Sequence, residues 1–120
     1  MGRIDRVNQQ MKREISLIIR QELSDPRLQF VTIAAVEVSR DLRYAKVYFS
    51  VLGDADQVKQ SQESLQNARG MIRKLIAQRM IMRYIPDLEF FYDRSIEYSS
   101  QIEEALEEIK NESKKDHSNN

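Results

Sequence analysis

The sequence predicts an α+β domain in which one three-stranded sheet carries helices on one face, in the order α-β-β-α-kink-α-β. Three observations predict it. Apolar residues recur at spacings of three and four from Ile4 to Ile18, the period of a one-sided helix. Two β-rich runs, at 30–40 and 43–52, are joined by a link short enough for a hairpin. A long helical pattern with a glycine inside it then separates them from a third alternating run.

Each element follows from its residues. In the first helix, over 3–23, Ile4, Val7, Met11, Ile15 and Ile18 fall on one stripe, and Arg6, Arg13 and Arg20 lie nearly opposite at heptad spacing. Asp25-Pro26 ends it, because the residue before a proline is pushed out of the α region. In the run at 43–52, Ala45, Val47, Phe49 and Val51 share one face and Tyr44, Lys46, Tyr48 and Ser50 the other. Gly53-Asp54-Ala55-Asp56 supplies a turn and a helix cap. The pattern beyond it reads as two helices, over 57–68 and 70–84, joined at Asn67-Ala68-Arg69-Gly70, since a glycine inside a helix costs about 1 kcal/mol against alanine. Pro86 stops the second, and Leu88, Phe90 and Tyr92 alternate as a third strand. Ser100-x-x-Glu103 is a capping-box pattern that opens an acidic helix at 99–110 with an Ile102/Leu106/Ile109 stripe. The tail at 111–120 has no apolar residue and is expected to be disordered.

With 120 residues, 41% hydrophobic and 32% charged, the chain fits one core-bearing domain, expected over 1–98. No cysteine is present, which excludes disulfide scaffolds, thiolate metal sites and thiol catalysis. The first residues, MGRIDRVNQQMK, lack the apolar run of a signal peptide. A cytoplasmic location is expected. The formal net charge is zero, yet residues 1–85 hold fifteen Lys/Arg against nine Asp/Glu while 86–120 hold four against ten. Neutrality is therefore the sum of a basic segment and an acidic one, which fits a basic binding surface and equally a scatter of surface charge.

Catalysis finds no support. His117, the single histidine, lies in the apolar-free tail, where a proton-transfer group cannot be held on a substrate. The three glycines are too scattered for a phosphate loop. The Glu103-Glu104 and Glu107-Glu108 pairs read as a solvated helix face. Asp54 and Asp56 with Glu89 or Asp93 have no more of a metal-ligand pattern than ordinary turn chemistry supplies. No cofactor, metal or small-molecule substrate is expected.

Cations mark the candidate binding residues instead. Arg6 and Arg13 begin the row on the first helix, suited to phosphates but also to any solvated helix face. At the expected kink, Ala68-Arg69-Gly70 removes bulk, and the amides opening the next helix, with Arg69, Arg73 and Lys74 beside them, fit a phosphate. A tight helix–helix contact needing small residues fits the same pattern. Arg83 adds charge further along. On the second strand, Tyr44, Lys46 and Tyr48 share a face suited to base stacking or to plain strand packing, and Arg43 stands at the strand's start.

Four segments together carry a resemblance: RIDRVNQQMKREISLII, VEVSRDLRYAKVYFSVL, NARGMIRKLIAQRM and RYIPDLEFFYDRSIEYSSQIEEAL. In them the chain resembles the ribosome-binding factor A family. The resemblance implies a type II KH-like fold in which an Ala-x-Gly kink, matched by Ala68-Arg69-Gly70, replaces the usual GxxG loop. It also implies a monomeric, non-catalytic assembly factor for immature small ribosomal subunits and their 16S rRNA. Such a factor assists late maturation, including 5′-end processing, and matters most in the cold. A protein-interaction adaptor working through the acidic helix at 99–110 is the alternative.

Overall fold

The structure, a computed structural model, describes residues 2–94. The expected acidic helix, its Ser100 cap, the tail and the domain boundary at 98 lie outside the described residues.

Helix α1 is Arg3–Gln21. Its inner face is the stripe read from the sequence, with Met11, Ile15 and Ile18 wholly buried, while Arg6, Arg13 and Arg20 remain in solvent. Beyond it, Asp25 caps a single 3-10 turn, Pro26–Leu28, which sends Leu28 into the core. The proline signal marks the end of the helix in the sequence but not this turn.

Strands β1 (Val31–Val38) and β2 (Tyr44–Val51) form the expected antiparallel hairpin. The register slips between Ile33 and Ala35, a bulge that lets both Ile33 and Val36 turn inward. Ser39 organises the turn. Its amide donates to the Tyr44 carbonyl at 2.8 Å and its hydroxyl to Asp41 at 2.6 Å. Leu42 takes a positive φ of 61° there, a conformation unfavourable for a branched side chain, while its own side chain packs against the core.

Helix α2 differs from the expectation. One continuous helix, Ala55–Arg79, replaces the two expected around Gly70. The buried positions explain why: Ser61, Ser64, Leu65, Ile72 and Ile76 hold one phase along its length, so a bend at Gly70 would turn half the stripe away from the sheet. The penalty of about 1 kcal/mol for one glycine is smaller than the loss of a buried Ile or Leu. The helix also stops at Arg79 rather than at 84, leaving residues 80–86 as an irregular return to the sheet with bends at 80, 83 and 84. Its start is a capping box in which Asp54 accepts from the Gln57 amide and Gln57 Oε1 from the Asp54 amide, both at 2.9 Å.

Strand β3 (Asp87–Tyr92) lies parallel to β2, with Tyr44 opposite Asp87 and Phe49 opposite Tyr92. The sheet order is β1-β2-β3, so the α2 crossover returns the chain to the free edge of the hairpin. That order and pairing are those of a type II KH-like domain. The helices cover one sheet face, formed by Val36, Val38, Ala45, Val47, Phe49, Leu88 and Phe90. The opposite face stays open and carries Glu37, Lys46 and Glu89 in one row across the three strands.

Candidate nucleic-acid interface

Most of the predicted cations come from α2, the loop after it and the hairpin turn, and they do not share one fate. Arg73 is committed to the fold. Its Nε donates to the Pro86 carbonyl at 3.0 Å, one terminal nitrogen to the Ile85 carbonyl at 2.8 Å, and the other lies 3.4 Å from Asp87. A planar guanidinium suits three convergent acceptors of this kind. Arg79 likewise reaches from α2 to Glu14 of α1 and to Glu22 just past its end, at 3.5 and 3.0 Å. Both are structural clamps.

The amide cradle expected at residues 68–70 is absent. In a continuous helix these amides bond to carbonyls four residues back, so none is left for a phosphate. Nor is Gly70 a close-contact position, since a Cβ there would meet nothing within 4 Å. Ala68 does pack against the core. What survives from that segment is the charge of Arg69 and Lys74, both exposed.

Two open grooves collect Arg43 and Arg69. One, of about 380 Å³, is lined by Arg43, Tyr44, Arg73, Tyr84, Ile85 and Asp87. Tyr44 and Tyr84 are 60% and 62% exposed, and the Arg83 guanidinium sits 5.6 Å from the centroid of the Tyr84 ring, within cation–π range. The Asp87 amide donates to the Arg43 carbonyl at 2.8 Å, fixing the start of β3 to the hairpin turn. In that turn the Ser39 hydroxyl, then the Arg43 amide, hold the Asp41 carboxyl below its ordinary range. A second groove, of about 490 Å³, runs along β3 and α2, with Arg69 and Arg94 beside Gln62, Gln66, Phe91 and Tyr92. Gln62 closes part of that edge by donating to the Phe90 carbonyl at 2.5 Å.

Other predicted residues stand apart. Arg6 and Arg13 are exposed on α1 and make no ion pair among the described residues. Lys46 lies between Glu37 and Glu89 in the register of the open sheet face. Tyr48 on that face is paired with Phe91, centroids 5.9 Å apart. A third groove, about 530 Å³, is at the far end of the sheet, where Ile19, Leu23, Phe30 and Leu52 alternate with polar residues such as Ser24, Asp25 and Gln29, and Arg20 is the one Lys or Arg in its lining.

Sequence reasoning missed Tyr84, Asp87 and Arg94. Tyr84 was hidden because the helix was carried through it. The available signal was Pro86, which together with the strand at Leu88 demands a non-helical return segment before it. Among the described residues, no group of three or more His, Cys, Asp or Glu is placed to hold a metal ion. No helix there is long and apolar enough to cross a membrane.

Comparison with known proteins bears on the family and the fold. The family described as Ribosome-binding factor A matches residues 3–106. The ribosome-binding factor A of Desulfitobacterium hafniense is 46% identical over 114 residues, covering 95% of this chain and 91% of the relative. The crystal structure of ribosome-binding factor A from Thermus thermophilus superposes with a TM-score of 0.68 at 30% identity, covering 74% of this chain and 93% of that one. Coordinates of the Thermus thermophilus factor fitted into a cryo-electron microscopy map of a 30S–factor complex match with a TM-score of 0.61 at 32% identity, covering 72% and 91%.

Proposed function

Because this chain belongs to the ribosome-binding factor A family, we propose that it binds immature small ribosomal subunits through their 16S rRNA and catalyses no reaction. The observation that carries this reading is the placing of exposed Arg43 and Arg83 beside two exposed tyrosines, Tyr44 and Tyr84, with Arg69 and Arg94 in a second groove. Exposed cations next to aromatic rings suit phosphates and bases together. The Thermus factor placed in a 30S complex supports the small subunit as the partner.

The protein acts as a monomer in the cytoplasm. It holds folded rRNA in one arrangement during late maturation, and its effect on 5′-end processing comes from that arrangement. A ligand shifts a conformational equilibrium only by its differential affinity for the two states, so binding alone suffices. Its importance in the cold follows if the competing rRNA arrangement interconverts slowly at low temperature.

The test is co-sedimentation of the full chain with small subunits across a salt series. Wild-type association is expected to fall steeply with salt, as phosphate contacts require. An Arg43→Ala/Arg69→Ala/Arg83→Ala variant is expected to bind at least about tenfold more weakly with an unchanged circular dichroism spectrum. Equal binding by the two proteins would refute the assignment of this surface.

A further inference from the structure

We propose that the groove between Tyr44 and Tyr84 receives a single unpaired guanosine. This deepens the functional reading above and rests on it, because it names the element of RNA that the surface recognises.

The argument begins with exposure. Phe49, Phe90, Leu88 and Ile72 are buried to within 1% of completion, whereas Tyr44 and Tyr84 keep more than half their surface in water and rim the same groove. Two exposed rings lining one depression offer a base the π-surface it loses on leaving a stack. Arg83 lies over Tyr84, so it biases the ring's position and brings positive charge to the rim for the flanking phosphate. Arg43, exposed and without an ion pair among the described residues, supplies a second. The volume of about 380 Å³ is at the lower end of small-ligand sites. That is room for about one nucleotide, and the Watson–Crick edge the groove would read is free only on an unpaired base.

Asp87 makes the choice of base. Its side chain is 65% exposed, with Oδ1 3.4 Å from Arg73, and Tyr44 is its neighbour in the sheet register. A carboxylate offers acceptors alone. Guanine presents two adjacent donors, N1–H and the N2 amino group, to such a pair of oxygens. Cytosine and adenine place one amino group beside an acceptor nitrogen, and uracil flanks its single N–H with two carbonyls that repel a carboxylate. The walls are also fixed beforehand, since Arg73 holds the Ile85 and Pro86 carbonyls and the Asp87 amide is bound to Arg43. Binding then costs little ordering of the protein.

Fluorescein-labelled pentaribonucleotides with G, A or C at the centre of a uridine run, and the all-uridine strand, are titrated with the full chain by anisotropy. The G strand is expected to bind about tenfold tighter than the other three. Tyr44→Ala and Tyr84→Ala are each expected to weaken it about fivefold or more, and Tyr84→Phe to restore it. Asp87→Asn is expected to erase the advantage of G. Circular dichroism of each variant controls for folding. Absence of a base preference in the wild type, or a G preference that survives loss of both tyrosines, overturns the proposal. Co-sedimentation with small subunits separates the two readings: wild-type binding to subunits without any preference for G overturns only the groove, whereas no wild-type binding to subunits overturns the functional reading itself.

Discussion

The hydroxyl of Ser64, in the middle of α2, donates to Oδ2 of Asp25, in the segment that leaves α1. One turn earlier Ser61 donates to the Arg27 carbonyl at 3.0 Å. These two serines are the only buried polar residues among those described, and both are satisfied by the same short segment. The 3-10 turn is thereby fastened across α2 while Leu28 anchors it from below.

This fastening is sensitive to acid. Arg27 donates to the Asp25 carboxylate from Nε at 3.1 Å, from a terminal nitrogen at 2.9 Å and from its amide at 2.9 Å. Together with Ser64 these donors hold the carboxyl well below its ordinary value of 3.8. The folded protein therefore binds fewer protons than the unfolded chain just below that value, and in that window stability rises with pH. The contribution is complete above the unfolded value and is lost as pH falls through the depressed one. Asp41, lowered by Ser39 and the Arg43 amide, acts in the same direction. Plots of Tm against pH are expected to be flatter below about pH 4 for Asp25→Asn than for the wild type. Parallel plots would mean that the Asp25 network does not operate in solution.

The turn illustrates what the sequence conceals. The α1 stripe, the hairpin and the third strand are legible because a period of 3.6 or 2 repeats over many residues. The role of Ser61 and Ser64 is not, because a polar residue on an apolar stripe reads as an interruption until the partner, more than thirty positions away, is brought to it. The same holds for Arg73. Its charge is visible in the sequence, but its three acceptors belong to the return loop and strand that tertiary folding delivers. The expected break at Gly70 failed for a related reason, since local propensity was outweighed by a stripe that stays in phase across it.

Arg73 and Arg69 are accordingly expected to behave differently. Arg73→Ala leaves two loop carbonyls without their donor, and bonds to a charged group are worth about 1.5–3 kcal/mol, less where partly solvated. A loss of about 1–2 kcal/mol is expected in urea unfolding. Arg73→Lys recovers little of it because an ammonium lacks the planar fork. Arg69→Ala, at an exposed position, is expected to change stability by less than about 0.5 kcal/mol. Equal midpoints for the two alanine variants would show that Arg73 does not hold the loop.

Two glycines should respond with opposite sign. A Cβ at Gly70 meets nothing within 4 Å, and the site is helical, so Gly70→Ala is expected to stabilise by about 0.5–1 kcal/mol. At Gly53, where φ is +158°, a Cβ runs into the Gln57 side chain that closes the capping box on Asp54. Gly53→Ala is expected to cost about 1 kcal/mol or more through loss of that cap. Urea midpoints decide both. A destabilised Gly70→Ala protein would point to a bend in α2 after all.

The last expectation concerns which cations meet phosphate. Lys46 lies on the open sheet face with Glu37 and Glu89 beside it across the strands, so an approaching backbone meets two negative charges for one positive. Arg43 and Arg83 rim a groove whose one carboxylate, Asp87, lies within ion-pair distance of Arg73. Each phosphate contact removed should lower the slope of log K against log salt by about one. Arg43→Ala and Arg83→Ala are each expected to reduce that slope for small-subunit binding, whereas Lys46→Ala leaves both slope and affinity within about twofold of the wild type. If Lys46→Ala instead flattens the salt dependence while the two arginine variants do not, the RNA lies across the sheet face at Lys46, and the groove at Tyr44 and Tyr84 is not its contact.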